Sequence, residues 1–120
     1  LAYPNRIGNQ FKRFNFADYP SLTFEKPDME NFRNLAIAYS ALNRGGNMPC
    51  IINAANEIAV AGFLNNEVGF LTMSDIIEQC MTNIPFKQNP SLDDYLNTDK
   101  ETRILAQNLI KQMPLKALTI

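Results

Sequence analysis

The sequence predicts a mainly all-α protein: a four-helix bundle-like domain preceded by an extended linker. Two observations carry this. After Pro27, apolar residues recur at spacings of three and four between proline and glycine stops, whereas the first 27 residues show no sustained helical period. The expected division is a linker over residues 1–27 and a helical domain over residues 28–120. At 120 residues, with 46% apolar and 19% charged, the chain has the size and composition of one soluble domain with one core.

In the linker, Pro4, Gly8, Pro20 and Pro27 are spread among aromatic and polar residues. Extended pieces are expected at Leu1 to Tyr3 and at Leu22 to Phe24, each too short to stand without a partner sheet. Arg6, Lys12 and Arg13 precede the first acid, Asp18, and lie beside Phe11, Phe14 and Phe16. Those aromatics read as groups that dock on a neighbouring surface. A net charge of -1 argues against a nucleic-acid partner.

The first helix begins near Asp28 or Asn31, both acceptable N-caps, and ends near Arg44, where Gly45-Gly46 supplies a left-handed stop. Its inward face is expected to be Phe32, Leu35, Ala36, Tyr39 and Leu42. Pro49 opens the second helix, in which Ile51, Ile52, Ala54, Ala55, Ile58, Ala59 and Gly62 run nearly all the way round. Such a helix belongs at the centre, where its small residues allow neighbours to approach closely. The third helix is expected to be capped by Thr72 with Asp75 three positions on, to point Ile76, Ile77, Cys80 and Met81 inward, and to end before Pro85. Ser91 and Asp94 repeat the cap pattern for a helical turn to about Leu96. Thr98 or Asp99 then restarts a fourth helix, which buries Leu105, Ala106, Leu109 and Met113 and is closed by Pro114. Short loops between modest helices predict antiparallel packing.

The chain has no histidine, which removes the commonest general base, the commonest zinc ligand and every nucleophile that depends on one. Cys50 and Cys80 are too few for a disulfide framework and read as small hydrophobes. Asp93 and Asp94 are adjacent, so on a helix they do not share a face; capping explains them better than catalysis. Arg6 stands alone, without a glycine-rich phosphate cradle. Asn53, Asn56 and Glu57 lie on one side of the second helix among alanines and isoleucines. They read as a buried structural polar seam, since two amides and one carboxylate offer a hard cation too few oxygens. No catalytic, cofactor-binding or metal-ligating residue is assigned.

The apolar stretch Met48 to Leu64 is interrupted by Asn53, Asn56 and Glu57, so no membrane span is expected, and no secretory signal opens the chain. A cytoplasmic location is the default. From composition and spacing alone, a free-standing helical protein-interaction module remains an alternative.

Particular motifs narrow this. Ala2-Tyr3-Pro4-Asn5-Arg6, Leu22-Thr23-Phe24-Glu25-Lys26-Pro27-Asp28 and Asn53-Ala54-Ala55-Asn56-Glu57, with Val68-Gly69-Phe70 after them, resemble in order and distance the C-terminal markers of the 1-deoxy-D-xylulose 5-phosphate reductoisomerases. Phe32-Arg33-Asn34 stands where that family commonly has Tyr-Pro-Cys, and Ile52 where it has Leu. The resemblance implies a parent homodimer that turns 1-deoxy-D-xylulose 5-phosphate into 2-C-methyl-D-erythritol 4-phosphate with NADPH and Mg2+ or Mn2+, in the non-mevalonate route to isoprenoids. It also implies that the NADPH-binding and catalytic domains, with the acidic metal ligands and phosphate-gripping side chains, lie upstream. No cofactor is therefore expected on this chain, and the piece alone is expected to be inactive. The chain opens without methionine, inside the Ala-Tyr-Pro element, as a piece of a longer polypeptide does.

Overall fold

Glycine, asparagine and proline punctuation cuts the chain into four helices: α1 (Arg33–Arg44), α2 (Met48–Leu64), α3 (Phe70–Asn83) and α4 (Leu92–Gln112). The structure is a computed structural model that describes residues 3–113. The expected extended piece from Leu1 and the expected stop at Pro114 fall on or across residues outside that range. Among the described residues there is no β-strand, so Leu22 to Phe24 joins no sheet; a short 3-10 helix, Phe16–Asp18, interrupts the linker instead.

At the α1–α2 corner, the Gly45 N–H donates to the Ala41 carbonyl, and Gly45 and Gly46 both take positive φ (65° and 57°). A Cβ on Gly46 would lie 2.3 Å from the Lys87 carbonyl oxygen, so this corner needs glycine for space as well as for conformation. Asn66, also left-handed at φ 60°, closes the turn between α2 and α3. Ser91 and Asp94 form a reciprocal capping box at the start of α4.

Helix α2 packs against the other three helices. Met48, Ile51, Val68, Ile76 and Ile77 are its main fully buried neighbours and members, each side chain stabilising the fold by about 2 kcal/mol on burial. Ala55, Ala59 and Gly62 leave room for α4: an added Cβ at Gly62 would meet Ile110 Cδ1 at 2.8 Å.

Several local expectations are corrected. Helix α1 starts at Arg33; Asp28 caps an Asx turn instead, accepting from the backbone N–H of Glu30 (3.0 Å) and Asn31 (2.9 Å). Its buried residues are Ile37 and Ala41, while Phe32, Leu35, Tyr39 and Leu42 are exposed, because α1 is apolar on two sides and the bundle covers only the narrower one. Helix α3 starts at Phe70 with Gly69 as its cap; Thr72 sits in the first turn, its N–H bonded to the Gly69 carbonyl. Helix α4 runs unbroken through Leu96 to Asp99. Thr98 is buried within it, and the Thr102 hydroxyl donates back to the Thr98 carbonyl at 2.7 Å, so the cap-like residues there serve the helix interior.

Candidate functional site

The residues singled out on α2 do share one side of the helix, but it is the outward side. The buried face of α2 is Met48, Ile51, Ala54, Ala55, Ala59 and Gly62, which leaves Asn53 and Glu57 exposed and Asn56 half-buried. The expectation of burial within these residues is thus corrected. Spacing fixes which residues share a side, but it does not say which side the neighbours cover.

Asn53 Nδ2 donates to Glu57 Oε1 (3.2 Å), and Arg103 Nη2 donates to Glu57 Oε2 (2.8 Å), tying α2 to α4. Arg103 Nε donates at the same time to Asp99 Oδ2 (2.8 Å). The hydrogen bonds that it donates to Asp99 and then to Glu57 hold the guanidinium even more firmly protonated than usual. A carboxylate shared in this way has its charge already met and is a poor cation ligand.

Three further carboxylates of the bundle, Asp75, Glu78 and Asp94, are engaged alike. Arg33 bridges Asp75 (2.9 Å) and Glu78 (2.8 Å) across the α1–α3 contact, and Lys87 pairs with Asp94. Among the described residues no group of three or more His, Cys, Asp or Glu side chains is gathered to hold a metal. Asp94 is pulled down to about 2, first by Lys87 and then by the Ser91 backbone and hydroxyl, which is the signature of a cap and ion-pair partner.

Neither thiol is activated. Burial, followed by the negative charge of Asp99, pushes Cys50 up, and its Sγ donates weakly to the Tyr95 carbonyl at 3.6 Å. Burial alone pushes Cys80 up to about 11. In the linker, Lys12 pairs with Asp18, and Phe14 packs edge-on to Phe16 (4.9 Å between centroids) and stacks on Tyr19 (5.1 Å).

The polar centre that sequence reasoning missed is Asn47. Fully buried at the entry to α2, its Nδ2 donates to the Pro85 carbonyl (3.0 Å) and to Thr98 Oγ1 (3.2 Å), and its Oδ1 accepts from the Lys87 N–H (2.9 Å). Its own N–H donates to the Lys87 carbonyl, so one residue locks the α1–α2 corner, the α3–α4 loop and α4 together. The available signal was its position, between a double-glycine stop and a first-turn proline.

A groove of about 560 Å³ runs between α1 and α2. Ile37, Ala41, Leu42, Pro49 and Ile52 form much of its wall, with Asn53 and Asn56 along one edge. It is open and largely apolar. It could seat a surface or a segment, and it gathers no reactive groups of its own.

A family model described as the DXP reductoisomerase C-terminal domain matches residues 1–105. The 1-deoxy-D-xylulose 5-phosphate reductoisomerase of Bacteroides fragilis (strain ATCC 25285) is 54% identical over 110 residues, covering 92% of this chain and 28% of the relative. The one from Thermoanaerobacter pseudethanolicus is 49% identical over 106 residues, covering 86% of this chain and 27% of the relative. Among solved structures, the reductoisomerase from Zymomonas mobilis in complex with NADPH superposes with a TM-score of 0.77 at 36% identity, covering 93% of this chain and 30% of that one. A DOX-P reductoisomerase in complex with magnesium gives 0.75 at 28% identity, covering 92% and 30%. The chain therefore spans less than a third of the length of these relatives.

Proposed function

The chain belongs to the DXP reductoisomerase C-terminal domain family, and from that premise we propose that it is the helical scaffold of a 1-deoxy-D-xylulose 5-phosphate reductoisomerase. The whole enzyme would convert 1-deoxy-D-xylulose 5-phosphate to 2-C-methyl-D-erythritol 4-phosphate with NADPH, as a cytoplasmic homodimer on the isoprenoid route. Residues 1–27 serve as the linker from the upstream catalytic and NADPH-binding domains, and residues 28–120 as the helical domain. No helix among the described residues is long and apolar enough to cross a membrane.

The single observation that carries this reading is the 54% identity over 110 residues, which extends through the linker as well as the bundle. The site chemistry supports a scaffold role. Glu57 and Asp99 share Arg103, Asp75 and Glu78 share Arg33, and Asp94 holds Lys87, so the donor set here does not fit Mg2+ or Mn2+. Metal and nicotinamide binding are accordingly assigned to the upstream domains. Asn53, Asn56 and Glu57 are a structural seam, in which Asn53 steadies Glu57 for its bond to Arg103.

The test is a chimaera. The matching 110 residues of the Bacteroides fragilis enzyme are replaced by this chain, and NADPH oxidation is followed with 1-deoxy-D-xylulose 5-phosphate. The chimaera is expected to turn over and this chain alone to show none. An inactive or unfolded chimaera, or turnover by the chain alone, contradicts the reading.

A further inference from the structure

We draw no further inference here: the strongest candidate, the exposed patch of Val60, Phe63, Leu64, Phe70 and Leu71 at the α2–α3 corner, where the Phe63 and Phe70 rings meet edge-on at 5.8 Å between centroids, is an unpartnered apolar face, and nothing in the structure shows what covers it.

Discussion

Asn47 and Asn56 are the same side chain in opposite settings, and the difference decides what removing each one does. Truncating Asn47 leaves Thr98 without this partner in the interior and removes the partner of the part-buried Pro85 carbonyl and Lys87 N–H, so Asn47→Ala is expected to destabilise the chain by about 2 kcal/mol in urea titration. Asn56 is half-buried at a groove edge, and Asn56→Ala in the same chain is expected to stay within about 0.5 kcal/mol. A pH dependence follows from Asp94. Its folded-state pKa lies below the ordinary 3.8, at about 2, so its contribution is present above 3.8 and is lost as pH falls through about 2, while Lys87 stays protonated throughout. Asp94→Asn should lower the melting temperature at pH 7 and make little difference at pH 2. Equal effects at both would show that the carboxylate charge is not what stabilises the cap. At this scale the sequence was legible where function is local: the Ser91–Asp94 cap needs only its own four residues. Asn47 was hidden because its partners lie about forty to fifty positions away, at Pro85, Lys87 and Thr98.

The helices themselves were legible because apolar period and stop signals are properties of short windows, and α2 and the end of α1 fall where Pro49 and Gly45-Gly46 put them. What a window cannot hold is the neighbour. The stripe Phe32, Leu35, Tyr39 and Leu42 has the right period for an inward face, yet the bundle chose Ile37 and Ala41, and α4 ran through a Thr98-Asp99 pair that looks like a fresh start. Thr98 is tolerated there because Asn47 bonds its hydroxyl and Asp99 is drawn to Arg103 one turn on. The α1–α2 corner offers the sharpest element-level test. Gly46→Ala must place a methyl group 2.3 Å from a backbone oxygen while holding φ at 57°, and is expected to destabilise by at least about 2 kcal/mol. Gly45→Ala meets open space around the added carbon, but φ 65° with ψ -147° is backbone that only glycine adopts readily, so it should lose about 2 kcal/mol in the same thermal melts from strain alone.

For the whole molecule, two regions differ in what holds them. The bundle has a continuous core from Ile37 to Ile110, whereas residues 3–32 are exposed almost throughout and touch chiefly one another, through Lys12–Asp18 and the Phe14–Tyr19 stack. A segment with no core contacts contributes little to the stability of the domain it leads into. Removing residues 1–27 is therefore expected to shift the melting temperature of this chain by no more than about 2 °C, and limited proteolysis should cut within 3–27 well before it cuts α2 or α4. In the chimaera the same segment joins the helical domain to a tethered neighbour, and its aromatics should gain a surface to lie on. Cleavage there should slow. If the linker is cut equally fast in both settings, Phe11, Phe14 and Phe16 dock on nothing, and the linker acts as a flexible spacer; if its removal melts the bundle, the boundary near residue 28 is misplaced and the domain begins earlier.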